Sequence, residues 1–121
     1  MSFHLLLINW LNNSISDLKT PNITLLATVS GNGTITLNDS LSNYRYLYAN
    51  FGTDTERYGT HTYLPIDFIK TLDNVFINAV ENGTYYANIR LNNITDTSIV
   101  IDRYAANNLW SNGKFYLYGI K

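Results

Sequence analysis

Asn112-Gly113-Lys114-Phe115-Tyr116-Leu117-Tyr118-Gly119-Ile120-Lys121 ends the chain, and its reading decides the fold. Asn-Gly is a turn pair, and the run after it is rich in aromatic and branched side chains that favour strands. In a strand, Phe115 and Leu117 fall on one face and Tyr116, Tyr118 and Ile120 on the other. Both faces are apolar, which suits a strand covered on two sides. A strand at a chain end must also be tied into a sheet, or it frays. The spacing therefore predicts a central or near-central strand over Lys114–Lys121.

Upstream, a two-residue period dominates. Ile23, Leu25, Ala27 and Val29 alternate with mainly polar partners. The turn Ser30-Gly31-Asn32-Gly33 follows, and Ile35 and Leu37 resume the apolar face, which reads as a hairpin. A strand over Tyr44–Phe51 puts Leu47, Ala49 and Phe51 on one face and Tyr44, Tyr46 and Tyr48 on the other. Residues 52–60 are loop by composition. His61–Lys70 reads as a strand, with Pro65 marking an edge or bulge. A short strand at Val75–Val80, the turn Glu81-Asn82-Gly83, and a strand over Thr84–Leu91 make a second hairpin. Ser98–Arg103 is another strand, and Ala105–Asn112 a loop. About eight short strands with polar turns argue for an all-β fold, an antiparallel β-sandwich of jelly-roll type. The helix candidate is Asn9–Leu18, where Asn12, Asn13 and Ser14 are poor helix-interior residues.

The chain has 121 residues, a length that fits one domain. Its net charge is −1 and only 14% of residues are charged, so no basic field exists to hold phosphates or an anionic membrane. Nucleic acid is excluded as a partner on that ground. Cysteine is absent, which rules out a disulfide framework and thiolate metal ligation. Stability outside a cell would then rest on packing or oligomerisation. Asn-x-Ser/Thr triplets at Asn12, Asn22, Asn32, Asn38, Asn82 and Asn93 follow from a composition rich in Asn and Thr. The apolar run Phe3–Leu11 is far shorter than the ~20 residues needed to span a bilayer. It lacks a basic leader and a small-x-small cleavage site, so it reads as a buried or subunit-contact segment rather than a signal peptide.

Catalytic constellations do not emerge from the spacing. His4 and His61 stand apart and match no metal-ligand pattern, so no metal and no cofactor are expected. Asp54 and Glu56 lie two residues apart in a polar loop, without the Asp-x-Asp-x-Asp-Gly pattern of a calcium site. What remains is aromatic: ten Tyr and two Trp, with amides and a few charges around them. A pyranose stacks its C–H face on such rings, while amides and carboxylates bind its hydroxyls. Two loops combine both chemistries. One holds Asp54, Glu56, Arg57 and Tyr58; the other holds Asn107, Asn108 and Trp110. These seven residues are the candidate ligand-binding set, although Trp110 also reads as a core plug and Tyr58 as cover for its own loop.

The run Gly31–Tyr48, with Leu41-Ser42-Asn43-Tyr44 between two strands, resembles the C-terminal head of a phage tail fibre or receptor-binding protein. Tyr63-Leu64-Pro65-Ile66-Asp67-Phe68-Ile69-Lys70 and the Tyr118-Gly119-Ile120 ending add to the likeness, which spans most of residues 21–121. The resemblance implies a compact antiparallel β-sandwich that assembles as a homotrimer. It implies a non-enzymatic role, holding a host cell-surface saccharide, at the phage tail tip or another extracellular location. Residues 1–20 would then be an oligomer contact or the connection to an upstream shaft, and residues 21–121 the head, without membrane insertion. The chain shows no shaft repeat and no phage-attaching domain, so it would be a head alone or a fragment. The alternatives are a monomeric carbohydrate-binding module of a secreted protein and a capsid- or pilus-like structural subunit.

Overall fold

The computed structural model describes residues 2–19 and 22–121, with the side chains of residues 13–19 and 108–109 outside the described part. Two four-stranded antiparallel sheets pack face to face. Sheet A has the order β1 (Ile23–Val29), β8 (Lys114–Ile120), β3 (Tyr46–Gly52), β4 (Arg57–Pro65). Sheet B has the order β2 (Gly33–Thr36), β7 (Ser98–Ala106), β6 (Tyr86–Asn92), β5 (Asn74–Val80). A helix, α1, runs from Phe3 to Lys19, and a single-turn α2 spans Ile66–Ile69. A long hairpin rolled up would pair β1 with β8, β2 with β7, β3 with β6 and β4 with β5. The chain keeps the first two pairings, then closes β3 on β4 and runs β5, β6 and β7 as a meander.

The terminal strand is central in its sheet, as expected, but only its Phe115 and Leu117 face is covered by the second sheet; Tyr118 and Ile120 remain half-buried on the outer face. β8 sits between β1 and β3, with Phe115 opposite Phe51 and Leu117 opposite Ala49. Phe115, Leu117, Leu47, Ala49 and Phe51 are fully buried. Sheet B answers with Ile77, Ile89, Leu91, Ile99 and Ile101 from alternate positions of β5, β6 and β7. Side chains of this size contribute about 1.5–3 kcal/mol each when removed from water, so the layer between the sheets is the main source of stability.

Several sequence expectations need correction. Ile23–Leu37 is not a hairpin: β1 and β2 lie in different sheets, and the chain crosses between them at Ser30–Asn32. Alternation reports which side of a strand is apolar, not which sheet the strand joins. β1 also carries a bulge between Leu25 and Ala27. The extra residue sends Leu26 into the core and leaves Ile23 and Leu25 exposed, the reverse of simple alternation. Residues 52–60 are mostly strand, since β4 starts at Arg57 and only a tight turn separates it from β3. The strand expected over His61–Lys70 stops at Pro65, which caps α2 and cannot donate to a ladder. The helix is longer than Asn9–Leu18 and takes in Phe3–Leu11, whose side chains are exposed rather than buried. Ile15 and Leu18 lie outside the described side chains. No helix among the described residues is long and apolar enough to cross a membrane.

Tyr44 does not share a stripe with Tyr46 and Tyr48. It precedes β3, is 8% exposed and packs into the core. Its hydroxyl donates to Asp39 Oδ2 at 2.6 Å, and that hydrogen bond holds the Asp39 carboxyl below its usual range, with the Ser40 N–H adding to the effect. The ring lies directly over Gly119. A Cβ at that position would stand 2.5 Å from Tyr44 Cγ, an atom with no freedom to swing aside. This contact accounts for the glycine in the terminal Tyr118-Gly119-Ile120. Gly119→Ala should destabilise the domain by about 1–3 kcal/mol through overpacking. A urea midpoint equal to that of the parent protein would remove this explanation.

Candidate interaction surfaces

The outer face of sheet A follows from strand parity. Tyr46 stands opposite Ile120 and Tyr48 opposite Tyr118 across β3 and β8. Tyr63 and Pro65 of β4 face Tyr48 and Tyr46 from the other side. β1 adds Ile23 beside Ile120 and Leu25 beside Tyr118. Tyr48 is the centre, with ring centroids 4.6 Å from Tyr63, 5.7 Å from Tyr118 and 5.8 Å from His61. Its hydroxyl also hydrogen-bonds His61 Nδ1. Tyr63 is 61% exposed, and Ile23 and Leu25 are exposed with it. A continuous aromatic and aliphatic surface thus faces outward across all four strands.

At the end of this face nearest the β3–β4 turn, the chemistry becomes polar. The Arg57 guanidinium lies 3.7 Å over the Tyr116 ring, a cation–π contact of order 0.5–2 kcal/mol. Its Nη2 donates to Tyr118 Oη at 3.1 Å, and its Nη1 donates to the Thr53 carbonyl. Tyr116 Oη donates to Asp54 Oδ1 at 2.9 Å. Burial raises the Tyr116 pKa, and the Asp54 carboxylate raises it further by accepting from the neutral phenol. Asn50, opposite Tyr116, is 5% exposed. Asn50 Oδ1 and Arg57 Nε are buried and find no hydrogen-bond partner among the described residues. A hollow of about 170 Å³ opens beside this corner, lined by Thr53, Asp54, Asn112, Lys114 and Tyr116 among others.

The two loops singled out from the sequence do meet, but through core packing. Tyr58 stacks on Trp110 with centroids 5.3 Å apart, and Phe51 lies 5.6 Å from the same indole. Trp110 is 4% exposed. A ring so covered offers no face to a ligand, so Trp110 is part of the core and the half-buried Tyr58 closes over it. The Asn107 amide bridges to β6, accepting from Tyr86 N–H at 2.8 Å and donating to the Thr84 carbonyl. Those bonds hold the β7–β8 connection in place. The side chain of Asn108 lies outside the described part. Asp54 and Arg57 join the polar corner, and the Glu56 side chain is exposed while its carbonyl accepts from Thr53 N–H at 2.8 Å.

His61, Tyr63, Ile23 and Leu25 were missed as surface residues. For the first two a signal existed, since Arg57, Gly59, His61, Tyr63 and Pro65 are alternate residues of one strand. The composition of 52–60 masked it. For Ile23 and Leu25 the signal was absent, because a bulge is invisible to an alternation count. Among the described residues, no group of three or more His, Cys, Asp or Glu side chains is placed to hold a metal ion. Comparison of the chain with protein-family models, curated proteins and solved structures finds no match.

Proposed function

We propose that this chain is the non-enzymatic receptor-binding head of a phage tail fibre or related receptor-binding protein, which holds a host cell-surface saccharide and works as a homotrimer at the tail tip. The observation that carries the assembly part is the apolar surface outside the sandwich core. On α1, Phe3 is 80% and Trp10 64% exposed, and Leu5, Leu6, Leu7, Ile8 and Leu11 are exposed as well. A helix apolar on most of its circumference is normally covered. Two such aromatic residues alone bring ~300–500 Å². The aliphatic residues and the sheet A face carry the total past the roughly 800 Å² per partner of a stable interface.

The composition of these surfaces favours other copies of this chain as the cover. Both are depleted in charge and rich in Tyr, Trp and Leu, the make-up of an interface core, and closed rotational symmetry lets one patch serve every copy. The test is mass in solution. Light scattering at micromolar concentration should give three times the 13.8 kDa chain mass, and removal of residues 1–19 should lower the number of chains per particle. A monomer would overturn the assembly reading and favour a free-standing carbohydrate-binding module.

A further inference from the structure

The outer face of sheet B differs in kind from that of sheet A. Three strands set out three rows across it. Asn74, Asn92 and Val100 form one row, and Asn78, Asn88 and Ala105 form another. Between them, Phe76 of β5 stands opposite Arg90 of β6, which stands opposite Arg103 of β7. A bulge in this ladder, between Arg90 and Leu91, gives β7 an extra residue at Asp102. Bulges re-aim side chains, and here Asp102 and Arg103 are both brought to the middle row. Arg90 Nε and Nη2 donate to the two Asp102 oxygens at 2.6 and 2.8 Å, and Asn92 Nδ2 donates to Oδ2 at 2.6 Å. The hydrogen bond from Arg90 holds the Asp102 carboxyl below its usual range, so it stays ionised.

The ring at the centre is open. Phe76 is 56% exposed. The guanidinium carbons of Arg90 and Arg103 lie 5.9 and 6.0 Å from its centroid. Asp102 pairs with Arg90 alone and feels Arg103 only through its field, so two guanidiniums stand beside one carboxylate and the row carries a net positive charge in a chain whose total is −1. Arg103 is exposed, and its side chain makes no hydrogen bond or ion pair with a described residue. Val100 and Ala105 are small, so the amide rows are not overhung. An adjoining hollow of about 380 Å³, lined by Lys70, Asn74, Asn92 and Asn93 among others, extends the polar surface at one end.

We propose that this face, centred on Phe76 and Arg103, binds an acidic saccharide, a pyranose carrying a carboxylate. The proposal rests on the receptor-head reading and names the site and ligand class within it. Each part of such a sugar has a counterpart. The C–H face of the pyranose stacks on Phe76, the paired amides of Asn78 and Asn88 bind its hydroxyls, and the Arg103 fork takes the carboxylate in two parallel hydrogen bonds. The apolar face of sheet A lacks the amide rows, and its one cation at the polar corner, Arg57, is half-buried and engaged with Tyr116, Tyr118 and the Thr53 carbonyl rather than open to a ligand. Charge complementarity therefore separates the two faces: one for copies of the chain, the other for the ligand.

The experiment uses the full chain on an array of uronate- and sialate-bearing glycans beside their neutral parents, followed by calorimetry with the best-bound glycan. Acidic members should bind, their neutral parents at least tenfold more weakly, and added salt should weaken the binding. Phe76→Ala and Arg103→Ala should each lower affinity about tenfold or more, with melting temperature and oligomer mass unchanged. Arg103→Lys should recover only part of the loss, since an ammonium cannot form the fork. Equal binding of neutral and acidic glycans overturns the ligand class. Unchanged affinity in both variants overturns the site while leaving the receptor reading intact. A fall in oligomer mass in Phe76→Ala makes the face a contact between copies and also overturns the site. Binding of no glycan at all overturns the site and the receptor reading together.

Discussion

Ending the chain after Asn112 is expected to abolish cooperative folding. The deletion removes β8, which pairs with β1 on one side and β3 on the other. Sheet A would lose the strand that joins its two halves, and both exposed strand edges would be left with unpaired backbone groups. Phe115 and Leu117, fully buried, and Tyr116, 5% exposed, leave with it. At about 1.5–3 kcal/mol for each buried side chain, before any backbone hydrogen bond is counted, the loss reaches the ~5–15 kcal/mol that holds a typical domain together. The truncated protein should appear in the insoluble fraction or show no melting transition by circular dichroism. A soluble product with a cooperative melt would mean that β8 is peripheral, contrary to the pairing described here.

Trp110→Ala is expected to cost about 3–5 kcal/mol of stability, as large aromatic truncations in a core do. The indole fills the space between Phe51, Tyr58 and Tyr85, whose centroids lie 5.3–6.3 Å from it. It also lies against the Gly59 backbone, where an added Cβ would meet its ring at 3.0 Å. Gly59 has φ +63, a conformation that glycine adopts without strain. Neither the backbone there nor the short 107–113 connection can easily collapse into the cavity left behind, which places the expected cost toward the upper part of the range. Chemical denaturation should show the midpoint falling with the slope preserved. A native midpoint together with lost glycan binding would return Trp110 to the surface as a contact residue.

How far the residues alone could be read depended on the range of the interaction that placed them. The terminal strand was legible because its cause is local. A strand-prone run of seven residues at a chain end needs neighbours along both edges, and β1 and β3 supply them, while the sandwich core covers the Phe115 and Leu117 face. The core face of β3, with Leu47, Ala49 and Phe51, followed in the same way, since period-two alternation is written in the chain. The sandwich class came from counting such runs and the turns between them. The polar corner at Asp54 and Arg57 was approached through its residue types, although the sequence did not indicate that Tyr116 and Tyr118 would lie beside them.

What the tertiary structure decided were features with non-local causes. Which sheet β2 joins depends on strand partners some sixty residues away, so the apparent hairpin at Ile23–Leu37 divided between two layers. The bulges in β1 and at Asp102 insert one residue against a partner strand, and nothing in either strand's own sequence marks the insertion. The first exposes Ile23 and Leu25; the second sets Asp102 and Arg103 beside Arg90 over Phe76. Trp110 has the same side chain whether it is a plug or a platform, and only the neighbours Phe51, Tyr58 and Tyr85 make it a plug. Alternation and turn chemistry act over a few residues and determine strands and their buried faces. Sheet membership, register shifts and the crowding of rings arise between strands distant in sequence, and these decide which aromatic residues remain at the surface.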